Sequence, residues 1–164
     1  PQSRDDLHRR ASADIFLGEH RGSAGCSDRA WDHSTVILEI ATVVALARQC
    51  APSVAVETLV SVVHAESRFN PYAIGVNAKG VRAPDSVDRA SATAAARSLI
   101  ARGYNIDLGL GQINSANLRW LGLSVEDAFD PCRNLAASAR VLSSNYLSVA
   151  QSSPTTEAAI ATAM

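Results

Sequence analysis

Apolar side chains recur every three or four residues along most of this chain, which is the spacing of one face of an α-helix. Proline and glycine divide these runs into separate helices. The pattern predicts helices over about residues 35–51, 53–70, 86–102, 118–121 and 134–151, and a last segment over 156–164. No alternating pattern of convincing length indicates a β-strand. The predicted fold class is therefore mainly α, with small helices around one core.

Capping residues set the predicted helix ends. Ser53 is the expected N-cap of the second helix, and Asp85 or Ser86 that of the third. Side chains of this kind accept hydrogen bonds from free N–H groups in the first turn. Gly103 is expected to follow the third helix and Gly122 the short one, because glycine readily takes the left-handed conformation found there.

The chain divides into two regions by composition. Residues 1–34 are rich in Arg, Asp, Ser and Gly without helical periodicity, so we predict a loosely ordered N-terminal arm there. Residues 35–164 are predicted to form one domain. A chain of 164 residues with 47% hydrophobic residues is long enough to bury a core.

Charge and hydropathy exclude several classes of partner. The formal net charge is −1, which does not indicate binding to nucleic acid or to an anionic membrane surface. No apolar run reaches the roughly 20 residues of a membrane-spanning helix. The chain begins at Pro1 and shows no export signal.

The three cysteines leave two interpretations open. Cys26, Cys50 and Cys132 lack the spacing of a zinc site, so no metal is expected. All three could be reduced and buried. Alternatively, one disulfide and one unpaired thiol would suit an oxidising compartment.

The segment from His64 to Pro71 places a carboxyl group where the helical pattern predicts burial. Glu66 follows Leu59 by seven positions and Val63 by three, so it continues their apolar face. Burial favours the uncharged form of a carboxyl group, which a general acid needs. Periodicity alone favours a simpler interpretation, in which Glu66 is an ordinary glutamate that reaches water from a helix end.

Two linked motifs strengthen the first interpretation. Glu66-Ser67-x-x-Asn70-Pro71-x-Ala73 precedes Gly109-Leu110-Gly111-Gln112-Ile113-Asn114. Together they resemble the paired signatures of the soluble lytic transglycosylases, and most closely the specialised branch that accompanies type IV secretion and conjugation systems. The resemblance covers roughly residues 36–164. It implies a lysozyme-like helical domain around a saccharide-binding cleft.

The resemblance assigns roles residue by residue. Glu66 would be the sole catalytic acid and base, and no cofactor is expected. The residues expected to contact the glycan are Ser67, Gly109, Gly111, Gln112 and Asn114. The two glycines would let the backbone approach the sugar closely. The contexts of Cys50 and Cys132 imply a disulfide between them, with Cys26 unpaired.

The implied activity is cleavage of the β-1,4 bond between N-acetylmuramic acid and N-acetylglucosamine, leaving a 1,6-anhydromuramyl end. The implied location is the periplasm or cell envelope, and the implied partners are peptidoglycan strands and secretion-system components. The family's Tyr-Asn-x-Gly motif does not follow Met164, so we expect this cleft to lack one wall. Two alternatives stay open: a lysozyme-like muramidase, and a non-catalytic peptidoglycan-binding scaffold. The muramidase has no assignable second carboxylate here.

Overall fold

The structure is a computed structural model that describes residues 36–150. The predicted arm over 1–34, Cys26 and the predicted last segment over 156–164 lie outside the described residues. Within 36–150 the fold is mainly α, as predicted, with five helices and a small sheet. No helix in that range has the length and apolar character needed to cross a membrane.

The first helix, α1, spans Ile40–Cys50 and begins later than predicted. The residues before it are not helical, because the Leu38 N–H donates to the Phe69 carbonyl oxygen at 2.9 Å instead of bonding within a helical turn. Val43 and Ala47 are fully buried, as their spacing predicts, but Ile37 and Ile40 are each 57% exposed. The predicted apolar face is therefore correct only in its second half.

The second helix, α2, spans Val56–Ser67, so both predicted ends were wrong. Ser53 is not the N-cap, because the chain first makes a turn in which the Val54 N–H donates to the Ala51 carbonyl oxygen at 3.3 Å. The helix ends before Asn70, since Arg68 and Phe69 take left-handed φ angles of 52° and 65°. That reversal carries Phe69 back into the core.

Three short strands form an antiparallel sheet in the order β1-β2-β3. They are β1 Ile74–Val76, β2 Ile106–Leu108 and β3 Ile113–Asn114. Asp107 pairs with Gly75 on one side and with Asn114 on the other. The sequence analysis missed these strands, because two or three residues are too few to display an alternating pattern. The predicted turn over 109–112 does connect β2 to β3.

The third helix, α3, spans Arg89–Ala101 and is capped by Asp88 rather than by Asp85 or Ser86. The Asp88 carboxylate accepts from the Ser91 N–H at 2.7 Å, and the Ser91 hydroxyl reaches back to the Asp88 N–H. This reciprocal pair is a capping box. Gly103 follows the helix with a φ angle of 83°, as predicted.

The C-terminal half ends in the longest helix. A 3₁₀ turn over Ser115–Asn117 leads into α4, Leu118–Leu121, which Gly122 closes with a φ of 70°. A second 3₁₀ turn, Asp127–Phe129, precedes α5, Pro131–Ala150. This helix begins three residues before the predicted Asn134, because proline is well suited to the first helical position.

Two clusters of buried side chains form the core. One joins α3, the sheet, α4 and the second 3₁₀ turn, and the other joins α1, α2 and α5. Asn134 of α5 links them: its Nδ2 donates to the Leu108 and Ala128 carbonyl oxygens at 2.9 and 2.7 Å. Its Oδ1 accepts from the Gly111 N–H at 2.8 Å. One buried amide therefore fixes the β2–β3 turn against α5.

A disulfide joins Cys50 to Cys132, the pairing that the resemblance implies. The Cα atoms are 5.3 Å apart, and the bond closes a sequence separation of 82 residues. It connects the end of α1 to the first turn of α5, so these two helices are covalently linked.

Candidate active site

Glu66 is the penultimate residue of α2 and borders a cavity of about 180 Å³. The opposite sides of the cavity come from the β2–β3 turn and from α5. Its lining residues are Val62, Glu66, Gly111, Gln112, Ile113, Asn114, Asn117, Ser138, Val141, Leu142 and Asn145. Of the six predicted catalytic and glycan-contacting residues, the fold brings four to this cavity: Glu66, Gly111, Gln112 and Asn114.

The predicted burial of Glu66 was wrong, because its side chain is exposed. Leu59 and Val63, which precede it on the same stripe, have no exposed surface. Glu66 continues the helical spacing of this stripe. Neighbouring side chains bury the stripe only as far as Val63. The simpler interpretation of the pattern, a glutamate that reaches water from a helix end, describes the exposure correctly.

The side chain of Gln112 is held in one orientation. Its Nε2 donates to the Gly109 carbonyl oxygen at 3.0 Å and to that of Ala73 at 3.3 Å. Both acceptors are carbonyl oxygens, so the nitrogen must face them. The Oε1 atom therefore points away from these carbonyl oxygens, toward Gly75, and remains as an acceptor. An acetamido N–H or a sugar hydroxyl is the kind of donor that it can bind.

Gly75 makes room for that orientation, a role that the sequence analysis did not foresee. A Cβ atom on Gly75 would stand 2.7 Å from Gln112 Oε1, and it would also lie 3.7 Å from Asp107 Oδ2. Any larger residue would therefore displace the glutamine. The only hint in the sequence was that this glycine lies between the two motifs. A glycine is equally expected in a loop, so the hint did not indicate a role in the site.

The two glycines of the turn pack against α5. A Cβ at Gly109 would collide with the Ala128 carbonyl oxygen and with Asn134, and one at Gly111 would collide with the Ser138 hydroxyl. Gly109 also has a φ of 73° and does not border the cavity. Close packing inside the protein is thus sufficient reason for both glycines, whereas the sequence analysis attributed them to contact with the glycan.

Ser67 and Asn114 lie on different sides of the site. The Ser67 hydroxyl donates to the Val63 carbonyl oxygen at 3.2 Å, and Ser67 does not border the cavity. Asn114 does border it, and its side chain is fully engaged. Its Oδ1 accepts from the Ala116 N–H at 3.0 Å, and its Nδ2 donates to Asn105 and Asp107.

Aromatic side chains that could stack on a sugar lie outside the cavity that Glu66 borders. Trp120 is 48% exposed, and its Nε1 donates to Asn117 Oδ1 at 3.1 Å. Tyr104 packs under the Arg102 guanidinium, and Tyr72 borders a separate cavity of about 200 Å³. His64 packs against Phe69 with the rings tilted and 5.1 Å between their centroids. Over residues 36–150, no group of three acidic, histidine or cysteine side chains could bind a metal.

The comparisons with known proteins agree with this geometry. Residues 44–162 match the family described as Transglycosylase SLT domain. The chain is 48% identical over 102 residues to the type IV secretion system protein virB1 of Brucella abortus. It is 42% identical over 101 residues to protein virB1 of Rhizobium radiobacter, and 40% identical over 100 residues to that of Agrobacterium fabrum.

These alignments cover part of each protein. For the Brucella and Rhizobium proteins they include 62% of this chain and 42% of the relative, and for the Agrobacterium protein 61% and 40%. The chain thus spans about two fifths of the length of the curated relatives it matches. No solved structure matches the chain.

Proposed function

The chain belongs to the Transglycosylase SLT domain family, and on that premise we propose that it is a peptidoglycan lytic transglycosylase. The substrate is the β-1,4 bond between N-acetylmuramic acid and N-acetylglucosamine, and the product carries a 1,6-anhydromuramyl end. The observation that carries the proposal is that Glu66, Gln112 and Asn114 border one open cavity. A general acid stands there with Gln112, whose Oε1 atom can accept a hydrogen bond from a sugar, and with Asn114, whose side chain is held by Asn105 and Asp107.

Glu66 performs both proton transfers in this proposal. Its carboxyl proton passes to the bridging oxygen as the bond from that oxygen to C1 breaks. The acetamido oxygen of the muramyl residue stabilises the positive charge at C1. Glu66, now a carboxylate, takes the proton of the C6 hydroxyl while the C6 oxygen bonds to C1 and closes the anhydro ring. No water is consumed, and Glu66 returns to its starting form.

The other residues of the site support these steps in different ways. Gln112 presents Oε1 to the substrate, and Gly75 leaves the space for it. Gly109 and Gly111 hold the turn against α5. Ser67 acts from within α2, where its hydroxyl bonds to the Val63 carbonyl oxygen and steadies the last turn that carries Glu66.

A second candidate function is hydrolysis by a lysozyme-like muramidase, in which water attacks C1. One observation bears on it: the carboxylate of Asp107 lies behind Asn114, to which it is hydrogen-bonded, although Asp107 itself does not border the cavity. The products separate the two reactions, because hydrolysis leaves a reducing end that is heavier than the anhydro end by one water and takes up oxygen from labelled water.

The test uses Glu66→Gln, which keeps the shape of the side chain but removes the transferable proton. General acid–base catalysis typically contributes about 10²–10⁴-fold, and one residue serves both steps here, so release of anhydro-muropeptides should fall by at least about 10⁴-fold. Glu57→Gln is the matched control, since Glu57 is exposed in the first turn of the same helix. Mass spectrometry of digested sacculi measures both variants.

Comparable release by the Glu66→Gln variant and the parent would refute the role of Glu66. Loss of release in both variants would indicate damage to α2 instead. If the parent binds sacculi and releases nothing, the scaffold alternative is correct.

The Brucella relative is named a type IV secretion system protein, so we propose that the enzyme opens the cell wall locally for a type IV secretion or conjugation system. Its place of action is the cell envelope, specifically the periplasm, and its further partners are secretion-system components. We propose residues 35–164 as the catalytic domain and 1–34 as an arm outside it.

A further inference from the structure

Asp107 lies at the centre of a group of amide side chains on the small sheet. Its Oδ2 accepts from Asn77 Nδ2 at 2.8 Å, and its Oδ1 accepts from Asn114 Nδ2 at 2.7 Å. Asn105 completes the group, because its Oδ1 accepts from both of the same nitrogens at 2.7 and 2.6 Å. Both oxygens of Asp107 act as acceptors, which is the hydrogen-bonding pattern of a charged carboxylate.

The charge of Asp107 is not balanced by a cation. The ion pairs found over residues 36–150 connect Arg89 and Arg133 to Glu126 and Asp127, and none includes Asp107. Its hydrogen-bonding partners are neutral amides, and its side chain is half-buried. A half-buried carboxylate without a cation acts on its surroundings over a longer range than a paired one.

The negative charge of Asp107 lies close to the cavity. Asn114 borders the cavity together with Glu66, so Asp107 stands one hydrogen bond behind its wall. Asp107 Oδ2 and Gln112 Oε1 also approach the same face of Gly75, at 3.7 and 2.7 Å from its Cβ position. The carboxylate is therefore adjacent to both amides that border the cavity from the sheet side.

We propose that Asp107 is a positioning residue for glycan cleavage: it fixes the amide of Asn114 and places negative charge behind the cavity wall. The proposal rests on the proposed function. When the bond to C1 breaks, positive charge develops on the sugar ring. A fixed negative charge nearby lowers the energy of that transition state more than the energy of the bound substrate.

A purely structural role would predict different behaviour. Asp107 joins the loop before α3 to β3 through Asn77 and Asn114, so it could simply hold the sheet together. Loss of that function should lower stability. Loss of charge behind the cavity should instead lower kcat while KM and stability remain near their parental values.

The experiment measures kcat and KM on an uncrosslinked peptidoglycan oligomer, and thermal melting, for four variants of the chain. Asp107→Asn removes the charge and replaces one of the two acceptor oxygens by an NH₂ donor, and Asp107→Glu retains the charge and both acceptors. Asn77→Ala removes one hydrogen bond to Asp107 and leaves the charge in place. Asp85→Asn is the matched control, because it makes the same chemical change at an exposed loop residue.

We expect Asp107→Asn to lower kcat by about 10- to 100-fold, less than the loss of a direct transition-state donor, with KM within about threefold. Asp107→Glu should retain more turnover than Asp107→Asn, and Asp85→Asn should match the parent within about twofold. Oligomer binding, measured by calorimetry in the Glu66→Gln background, should be unchanged by Asp107→Asn.

Three results would overturn the proposal. The first is a kcat for Asp107→Asn within twofold of the parent. The second is an equal loss of turnover and melting temperature in Asp107→Asn and Asn77→Ala, which would show a structural role. The third is a parent chain that cleaves nothing, which would overturn the proposed function as well; the first two leave that function intact.

Discussion

Replacing Gly111 by alanine separates two reasons for a glycine in the β2–β3 turn. If the glycine lets the glycan approach the backbone, alanine should weaken substrate binding and leave stability unchanged. If the glycine packs against α5, alanine should lower stability directly. Gly111 does not have a positive φ, so alanine at this position adds no backbone strain to the comparison.

The structure indicates the second outcome and its size. The added Cβ collides with the Ser138 hydroxyl, stands 3.0 Å from Ser138 Cβ and 3.3 Å from Asn134 Oδ1. Turning the hydroxyl away sacrifices its 2.9 Å bond to the Asn134 carbonyl oxygen, which contributes about 0.5–1.5 kcal/mol. The methyl group itself overpacks the contact with the buried Ser138, at a cost of about 1–3 kcal/mol.

One effect opposes these losses. Alanine restricts the unfolded chain more than glycine does, which stabilises the protein by about 0.4–1 kcal/mol. The net expectation is a destabilisation of about 1–3 kcal/mol, or a fall of roughly 3–10 °C in Tm for a domain of this size. Thermal unfolding measures it.

A double-mutant cycle with Ser138→Ala identifies the collision. Ser138→Ala removes the hydroxyl, so Gly111→Ala should be less damaging in that background by about 1 kcal/mol or more. The Cβ atoms would still be close at 3.0 Å, so the rescue is partial. An additive cycle, or a Gly111→Ala variant that keeps its Tm but raises KM, would refute the packing argument.

Two further predictions concern stability. Replacing Cys50 and Cys132 by alanine removes the disulfide that closes a loop with a sequence separation of 82 residues. In the chain-entropy model the free energy of unfolding should therefore fall by about 4–5 kcal/mol, which urea unfolding measures. Peptide mapping that finds Cys132 unpaired would contradict this disulfide. The pKa of Asp127 is lowered chiefly by the Ser124 N–H that donates to it, and also by the Ser124 side chain and the Arg133 and Arg89 guanidinium groups. Its stabilisation is present above the usual value of 3.8 and is lost as pH falls through the lower folded value, so Asp127→Asn should flatten the loss of stability below about pH 4. Parallel acid titrations of parent and variant check this.

The sequence predicted the helical elements better than their ends. Residues such as Leu59 and Val63 lie on a stripe that tertiary packing buries, so their spacing is sufficient to locate α2. Its start depends on the turn from Ala51 to Val54, and its end depends on left-handed conformations at Arg68 and Phe69. Neither depends on periodicity, and Ser53 is a capable cap that the turn leaves unused.

The residues that the sequence did not reveal are those whose role depends on a tertiary partner. Asn134 appears in the sequence only as a polar residue near the start of a helix, yet it is buried and connects Leu108, Ala128 and Gly111. Two of its three partners, Leu108 and Gly111, are more than twenty residues away along the chain. Asp107 likewise became interpretable only when β2 placed it between Asn77 and Asn114.

Because the side chain of Glu66 is exposed, its own helix does not determine the environment of the carboxyl group. A glutamate buried by its own helix would be dehydrated before any substrate arrives, but the side chain of Glu66 faces an open cavity. The preorganised parts of the site are instead the amides: Gln112 is held by two carbonyl oxygens, and Asn114 by Asn105 and Asp107. In the proposed mechanism, the saccharide itself must therefore displace the water around Glu66, so binding and dehydration of the carboxyl group would occur in one step. The amides would then determine which sugar orientation brings the bridging oxygen to Glu66, and the acid would act only on a glycan already aligned.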